Sequence, residues 1–566
     1  MNSLAEKFDK RADLLQKKLF GKAGSDRFKD FCSAFGCCAA FISVSDKNEQ
    51  AYVFRASGET AEDAWKKAKS NAMDFINTES FDPVWVKADI AYKGEKKSLN
   101  DTLKSLSKVY PKLFRKGISF DEKLEKALIE AEINTASLID YKSRKISLTE
   151  LNKYLAANDL NTLTQLPEEV ILFTCKSAFC DEEGKVYELY SDAKNCGRRK
   201  LSKFNKETAL NVITSAAEYL SMQVGMNGEF DYGFYPTVPK IIPGYNILRH
   251  ASSIWSLLCA YRITGDKFTL ENAECAIGFM IRNMAYKYHN RENNVLYLVE
   301  ATKNEIKIGG NAVAIVVLTE YMNITGSDKY AKIAAELGNG ILELFDERSG
   351  GFFHVLNFPS FSPRDKFRTV YYDGECVFAL SRVYGLTKDK RYLNAAAKAA
   401  DRFIEKNYEQ YADHWVAYSI NELTKYLPEE KYFDFGIKNV QSNLERIYKQ
   451  PTTYHTFLEL LCVSFELVDR VKTENRKCAA LEDFDVSELV KTIFHRAEHM
   501  LNGYCYPEYV MYFPNPSEHL GAFFIRHDNY RMRIDDVQHF CCAYYSLYRN
   551  YEKLDAIREQ TLKISK

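Results

Sequence analysis

The stretch Tyr261-Arg-Ile-Thr-Gly-Asp266 decides the fold, because the chain repeats it at a fixed interval. It closes an apolar segment that opens at Leu248-Arg-His250. Two further segments close in the same way, at Tyr321-Met-Asn-Ile-Thr-Gly-Ser-Asp328 and at Tyr384-Gly-Leu-Thr-Lys-Asp389. The threonines of the three turns are 61 and 62 residues apart. This spacing predicts an array of helix-turn-helix units that bury their apolar faces against each other.

Amphipathic patterns after about residue 205 predict twelve helices of two alternating kinds. Outer helices, rich in Ala, Lys and Glu, are predicted at 207–222, 267–284, 328–345, 389–406, 431–447 and 484–501. Inner helices, more apolar and aromatic, are predicted at 249–262, 310–322, 373–385, 413–426, 453–468 and 534–548. Six such hairpins can close into an (α/α)6 toroid. The alternative is an open helical solenoid, which would need polar repeats at its ends.

The first 200 residues have a different pattern. Short runs of β-branched and aromatic residues predict strands at 39–45, 50–55 and 83–90 and a hairpin of 170–173 with 186–190. Helices are predicted at the N-terminus and at 99–109, 121–133 and 148–156. We therefore expect an α+β domain of unknown role at 1–200, followed by an all-α toroid at 201–566.

Composition excludes several classes of function. Lys+Arg and Asp+Glu both total 77, so no positive excess points to nucleic-acid binding. The N-terminal segment Met1–Lys10 is charged and unlike a secretory signal, and the longest near-apolar stretch, Cys37–Val44, is too short for a transmembrane segment. The fourteen cysteines contain no CxxC motif and are typical of reduced thiols. We expect a cytoplasmic protein.

The inner helices begin with polar residues, and long loops lead into several of them. Because these starts converge at one end of a toroid, they define the predicted site. The candidate catalytic residues are Asp373, Glu375, Asp413, Asp535, His414 and His250. The candidate substrate-binding residues are Arg249, Trp415, Tyr372, Asn311, His455, Asp536 and His539. Paired carboxylates suit cleavage of a glycosidic bond, whereas a histidine pair suits proton transfer next to a carbonyl group.

The same residues have structural explanations. Asp413 and Asp535 are typical N-caps, which stabilise a helix start by about 1 kcal/mol without any chemistry. A single histidine on an apolar helix, such as His250 or His539, is commonly a hydrogen-bonded packing residue. No HExxH, Walker, GxGxxG or GxSxG motif occurs in the sequence, so we expect neither a metal nor a cofactor.

The chain resembles the superfamily of six-hairpin glycosidases and N-acylglucosamine 2-epimerase-like proteins. Three features carry this resemblance: the repeated turns, the segment Tyr371-Tyr-Asp-Gly-Glu375 and the segment Asp413-His414-Trp415. The resemblance covers about residues 205–550 and implies the (α/α)6 toroid. Members include hydrolases, lyases, epimerases, phosphorylases and proteins without known catalysis, so the resemblance implies no residue roles. The N-terminal domain resembles no family.

The sequence thus favours a carbohydrate-active enzyme that cleaves a glycosidic linkage, with Asp373, Glu375, Asp413 and Asp535 as acid and base. One alternative is a sugar epimerase or isomerase that uses a pair among His250, His414, His455 and His539. Another is a non-catalytic sugar-binding or scaffold factor in surface-polysaccharide biosynthesis, with a protein partner bound through the N-terminal domain.

Overall fold

The computed structural model describes residues 3–106, 113–191, 194–238, 240–289 and 294–564. The chain divides into two compact units. The first comprises Met1–Lys203, Phe234–Ile241 and Leu501–Arg531, and the second comprises Phe204–Gly233, Ile242–Met500 and Met532–Lys566. The two short segments that join the first unit from later in the chain were not evident from the sequence pattern.

The first unit is built on an antiparallel sheet. Its strands are β1 (Cys38–Ser45), β2 (Tyr52–Gly58), β3 (Trp85–Ser98), β4 (Gly117–Ser119), β5 (Ala127–Leu128), β8 (Glu169–Cys180) and β9 (Val186–Glu188). The sheet order is β2-β1-β3-β8-β4-β5, and β9 pairs with β8. A separate small hairpin joins β6 (Ile139–Asp140) to β7 (Lys145–Ile146). Strands were predicted at β1, β2, β3, β8 and β9, so the expected strand-rich N-terminal region is confirmed.

The helices of the first unit are short, apart from two. They are α1 (Ser3–Phe20), α2 (Lys29–Phe35), α3 (Ala61–Glu79), α4 (Leu99–Ser105), α5 (Glu130–Thr135), α6 (Leu148–Ala157) and α19 (Pro507–Val510). The predicted helix at 121–133 is wrong over 121–129, and only 130–133 are helical, as the first part of α5. The Asp121 carboxylate accepts the backbone N–H groups of Glu125 at 2.9 Å and Lys126 at 2.8 Å, which holds a turn in front of β5. The predicted end of the helix at Val109 lies outside the described residues.

The second unit contains the twelve predicted helices. The outer helices are α7 (Lys206–Met222), α9 (Lys267–Met284), α11 (Ala331–Glu343), α13 (Lys390–Glu405), α15 (Glu430–Gln441) with α16 (Leu444–Lys449), and α18 (Val486–Met500). The inner helices are α8 (Ile247–Thr264), α10 (Ile308–Thr325), α12 (Tyr371–Thr387), α14 (His414–Leu423), α17 (Thr456–Thr473) and α20 (Ile534–Ile564). The last of these continues 16 residues beyond its predicted end at 548.

Short strands occur in the connections. They are β10 (Gly233–Tyr235), β11 (Lys240–Ile241), β12 (Ala285–His289), β13 (Asn294–Leu298), β14 (Glu305–Lys307), β15 (Phe345–Asp346), β16 (Gly351–Phe352), β17 (Val355–Asn357), β18 (Pro363–Asp365) and β19 (Met532–Arg533). Of the helices in the described ranges, none is long and apolar enough to cross a membrane.

The inner helices pack in a closed ring. Each contacts the next in the order α8, α10, α12, α14, α17 and α20, and α20 packs against α8. Outer helices pack against the inner helices from outside, as α9 does on α8 and α13 does on α12. An open solenoid would leave α8 and α20 apart, so this alternative is wrong.

The repeated turn has the same chemistry in three hairpins. Gly265 and Gly326 end α8 and α10 at φ 66° and 70°, in the left-handed region that glycine adopts without steric cost. The threonine before each glycine accepts the backbone N–H two residues further on. In the third copy Lys388 takes the glycine position with φ 61°. A side chain with a Cβ is strained in this conformation.

We therefore expect Lys388→Gly to raise the free energy of unfolding by about 1 kcal/mol, because it relieves this strain. Urea unfolding followed by circular dichroism measures the effect. Lys388→Ala is the matched control, since it also removes the long side chain but keeps the Cβ. A similar gain in the alanine variant would show that backbone strain is not the cause.

Candidate active site

A cavity of about 500 Å³ lies at the N-terminal ends of the inner helices. Helices α8, α12, α14, α17 and α20 contribute to its wall, as do residues of the preceding loops. Seven of the thirteen residues predicted for the site line it: Arg249, Glu375, Asp413, His414, Trp415, Asp535 and His539. The other six are outside its lining: His250, Asn311, Tyr372, Asp373, His455 and Asp536.

Asp373 is directed away from this cavity, although Glu375 lines it. Residues two apart on a helix point to opposite sides, because each residue rotates by about 100°. The Asp373 carboxylate accepts a hydrogen bond from the Tyr408 hydroxyl at 2.8 Å and lies 3.1 Å from His354 Nε2. It lines a separate cavity of about 250 Å³. Asp373 therefore does not share a cavity with Glu375, Asp413 and Asp535, with which it was predicted to act.

His250 is a packing residue. Its Nε2 lies 3.0 Å from the Ala276 carbonyl, which can only accept, and its Nδ1 lies 2.7 Å from the Tyr245 hydroxyl. The proton is therefore on Nε2, and Nδ1 accepts from Tyr245. The side chain is fully buried, and burial lowers its pKa to about 4. A neutral imidazole with both nitrogens engaged leaves no group for the predicted catalytic role.

Asn311 and Tyr372 also have structural contacts. The Asn311 amide accepts the Leu298 N–H at 2.7 Å and donates to the Lys307 carbonyl at 2.8 Å, which fastens β13 to the start of α10. The buried Tyr372 ring packs on Gly309, where an added Cβ would come within 2.5 Å of the ring. Both residues were predicted to bind substrate, and neither reaches the cavity.

Asp535 lines the cavity but is held by two guanidinium groups. Arg249 Nε donates to Asp535 Oδ2 at 2.9 Å, and Arg533 Nη2 donates to the same oxygen at 2.8 Å. Arg533 Nε also contacts Oδ1, and Arg249 contacts the Tyr232 hydroxyl. These hydrogen bonds occupy both oxygens of the carboxylate. Asp535 is therefore poorly placed for acid or base chemistry.

Asp413 and Glu375 are carboxyl groups with raised pKa values. Burial raises the pKa of Asp413 to about 6, although its N-cap hydrogen bond from the Val416 N–H at 3.0 Å opposes this shift. Glu375 is fully buried, and neither of its oxygens has a hydrogen-bond partner among the described residues. Burial and the nearby Asp413 charge raise the pKa of Glu375 well above its usual range. Both effects favour the protonated form of Glu375.

The raised pKa of Asp413 predicts a pH-dependent loss of stability. Below pH about 4 the group is protonated in both states; between about 4 and 6 only the folded state keeps its proton, so stability falls as pH rises. We expect Asp413→Asn, which retains the cap, to remove up to about 3 kcal/mol of this decrease. Urea unfolding between pH 4 and 7 measures it.

Asp266→Asn is the matched control for this experiment. Asp266 caps α9 in the same way but is exposed, and its hydrogen bond from Thr269 lowers its pKa. If both variants reduced the fall in the free energy of unfolding between pH about 4 and 6 by the same amount, a specific contribution from Asp413 would be contradicted.

Two histidines from different inner helices face each other in the cavity. The ring centroids of His414 and His539 are 5.1 Å apart, and the rings are inclined by 74°. His539 Nδ1 lies 2.7 Å from Glu459 Oε1, and the Tyr418 hydroxyl donates to Glu459 Oε2 at 3.0 Å. Glu459 is fully buried. These contacts fix the ring of His539 and direct its Nε2 away from Glu459.

The environments of these two histidines shift their pKa values in opposite directions. Burial lowers the pKa of His414 well below its usual range, and His539 and His455 lower it further. His414 Nε2 is buried with no hydrogen-bond partner among the described residues. Burial also lowers the pKa of His539, but the charge and hydrogen bond of Glu459 outweigh it and raise the pKa overall. These environments therefore favour the neutral form of His414 and the protonated form of His539.

His455 and Asp536 support His539 from outside the cavity lining. The His455 ring is parallel to that of His539, with centroids 4.6 Å apart. Its Nε2 lies 3.6 Å from Asp536 Oδ1, and Asp536 adds to the raised pKa of His539. Burial lowers the pKa of His455, so it stacks on His539 as a neutral ring. Neither residue is part of the cavity lining, although both were predicted to bind substrate.

Sequence reasoning missed Glu459, Tyr411, Arg446 and Tyr454. Glu459 follows His455 by four residues on α17, and residues at this spacing share a helix face. That spacing was the one signal available for it. Of the other three, Tyr411 lies just before α14, Arg446 is on the short helix α16 and Tyr454 lies in the loop before α17, so none lies on an inner helix.

One group among the described residues has donor atoms close enough to hold a metal ion. These atoms, from His414, Glu459 and His539, lie within 4.8 Å of one another. Two imidazoles and a carboxylate form a known ligand set for zinc. A metal bound there would replace the hydrogen bond between Glu459 and His539.

Comparison with known proteins shows similarity in structure only. No family model matches the chain, and no curated protein matches it. Cellobiose 2-epimerase from Bacillus thermoamylovorans is similar over 60% of this chain and 99% of its own, with 13% identity and a TM-score of 0.46. A D-mannose isomerase is similar over 62% of this chain and 100% of its own, with 12% identity and a TM-score of 0.45. An inactive variant of an α-1,6-mannanase from Salegentibacter, in complex with α-1,6-mannotriose, is similar over 60% of this chain and 99% of its own. Its identity is 13% and its TM-score is 0.42.

These solved structures include epimerases and glycosidases, the kinds of protein that the sequence resemblance named. Their identities and TM-scores are too low to assign a reaction to this chain. The chemistry therefore has to be inferred from the cavity itself.

Proposed function

We propose that the second unit is a sugar isomerase or epimerase with an (α/α)6-toroid fold, and that its cavity transfers a proton at the carbon next to a carbonyl group. The observation that carries the proposal is the pair His414 and His539, whose environments shift their pKa values apart. Two titratable groups that differ in this way are suited to act as base and acid in one site.

In this reaction neutral His414 is the base. Its unpartnered Nε2 removes the proton from the carbon beside the carbonyl of an open-chain sugar, and the electron pair moves to form an enediolate. For epimerisation, His539 returns a proton to the same carbon from the opposite face. For isomerisation, His539 protonates the carbonyl oxygen to give an enediol, His414 returns its proton to the former carbonyl carbon, and the proton of the neighbouring hydroxyl group passes to His539. The hydrogen bond to Glu459 favours the charged form of His539 before it donates its proton.

Other groups of the cavity suit a sugar. Tyr371, Tyr411, Trp415 and Tyr454 offer aromatic faces for an apolar sugar face. The cavity volume of about 500 Å³ lies within the range of pockets that enclose small molecules.

A glycosidase is the second candidate. It is favoured by Asp413 and Glu375, two carboxyl groups with raised pKa values in one cavity. Against it, the buried oxygens of Glu375 face packed protein at Gly309 and Tyr372, and Asp535 is engaged by arginines. The cytoplasmic location and a protein partner for the first unit stay predictions.

Deuterium exchange distinguishes the candidates. We expect the enzyme to incorporate deuterium from D₂O at the carbon next to the carbonyl of mannose, fructose, glucose or cellobiose, as measured by proton NMR. His414→Asn and His539→Asn should each lower the rate at least about 100-fold, because each removes a proton-transfer group. EDTA in the assay excludes bound metal as the cause of the loss.

His495→Asn, on outer helix α18, is the matched control and should exchange at the wild-type rate. Release of reducing ends that depends on Asp413 and survives His414→Asn would favour the glycosidase. Bound sugar with neither exchange nor cleavage would favour a non-catalytic factor.

Glu459 is a positioning residue in this proposal. In Glu459→Gln the negative charge is lost, so burial lowers the pKa of His539 and the alkaline limb of the pH-rate profile should move down by about 1–3 pH units. Steady-state rates between pH 5 and 9 measure the shift. Tyr418→Phe is the control, because it removes a hydrogen bond to Glu459 but leaves the charge. An unmoved alkaline limb in Glu459→Gln would show that His539 is not the acid.

A further inference from the structure

A second cavity, of about 740 Å³, is lined by the middle and C-terminal turns of the inner helices, and all six helices contribute to its wall. Trp255, Phe378 and Tyr418 form its aromatic side. Trp255 stacks on Trp415 of the first cavity, with ring centroids 5.6 Å apart. The two cavities therefore meet at a layer of aromatic rings.

The charged side chains of the second cavity have a positive balance. Its wall contains six cationic residues, Arg262, Arg382, Lys425, Arg470, Arg549 and Lys553, and four acidic ones, Glu320, Glu422, Glu466 and Asp469. Each acidic residue already has a cation of the same wall within 4.0 Å. The carboxylates are thus neutralised, and positive charge remains.

Arg470 is the cation of this wall that has no carboxylate oxygen within 4.0 Å in the part of the chain that the structure describes. Its Nη2 donates to the Asn421 carbonyl at 2.9 Å, the Asn421 side chain at 2.8 Å and the Thr424 hydroxyl at 2.6 Å. These acceptors are all neutral, and its buried Nε has no partner among the described residues. A partly buried guanidinium is most stable beside an anion.

A structural role accounts for part of this arrangement. Arg470 belongs to α17, and its side chain reaches the C-terminal end of α14. A cation there stabilises the last carbonyls and the negative end of the helix dipole. This role explains the bonds of Nη2. It leaves unexplained the excess of cations around an open cavity of this size.

We propose that the second cavity is a binding site for a small organic anion. A phosphate or carboxylate group of the ligand would pair with Arg470, and a ring or apolar portion would lie on the aromatic side formed by Trp255, Phe378 and Tyr418. This site is distinct from the sugar cavity at the opposite ends of the helices and does not depend on the reaction proposed there.

Calorimetric titration of the full chain tests the proposal with glucose 6-phosphate, glucuronate, inorganic phosphate and neutral glucose. We expect at least one of the three anions to bind, and the comparison of glucose 6-phosphate with glucuronate distinguishes phosphate from carboxylate. Arg470→Gln should weaken binding by about 10- to 100-fold, as expected for loss of a charge-assisted hydrogen bond. Added NaCl should weaken it as well.

Two matched variants locate the bound anion. Arg446→Gln removes a cation from the first cavity, and Arg476→Gln removes an exposed cation outside both cavities that is paired with Glu474. Both should bind the anion as the wild type does. Loss of binding in Arg446→Gln with unchanged binding in Arg470→Gln would place the anion in the first cavity and overturn the proposal.

If Arg470→Gln does not fold, Arg470→Lys replaces it in the titration, because it keeps the positive charge. We expect Arg470→Lys to bind the anion more weakly than the wild type does. A lower melting temperature of Arg470→Gln with an unchanged affinity for the anion would show a structural role alone. Failure of all three anions to bind the wild type at about 10 mM would also overturn the proposal.

Discussion

The packing of α20 against α8 is the constraint on which the second unit depends, because it closes the ring of inner helices. Once the ring is closed, the helix starts lie at one end and the helix ends at the other. Helix N-termini favour acceptors and negative groups, and helix C-termini favour cations. The first cavity accordingly contains the Asp413 cap, and the second contains Arg262 and Arg470 in the last turns of their helices. The two cavities differ in chemistry because they lie at opposite ends of the same helices.

Burial alone does not decide the charge of a side chain in this protein. His414 and His539 are both buried in one cavity, and their pKa values move in opposite directions. The difference is Glu459, a buried carboxylate that is satisfied by the Tyr418 hydroxyl and by His539. A buried carboxylate without such partners would be costly, so each member of this group stabilises the charge state of the next. The proposed division into acid and base follows from one hydrogen bond.

Much of the fold could be predicted from the sequence, because the signals are local. The turn at Thr264-Gly265-Asp266 requires only a glycine, a hydroxyl and a capping carboxylate that are adjacent in the chain. The helix periodicity is likewise a property of neighbouring residues, and it located the twelve helices of the second unit within a few residues, apart from the longer C-terminal end of α20. The predicted helix at 121–133 failed where Asp121 bonds its own backbone neighbours and competes with helix formation. The inserted segment Leu501–Arg531 gave no sequence signal of the unit to which it belongs.

The sequence by itself determined the period, the turns and the polar helix starts from which the site is built. Only the tertiary structure decided which of those polar residues are available for chemistry. Asp373 and Glu375 are two positions apart, yet one is bonded to Tyr408 and the other lies unpartnered in the cavity wall. Asp535 is bonded to Arg249, 286 positions earlier in the chain, and the pKa of His539 is raised by Glu459, 80 positions earlier. Protonation and availability depend on burial and on charges within a few ångströms, and those neighbours are brought together by helix packing rather than by proximity in sequence.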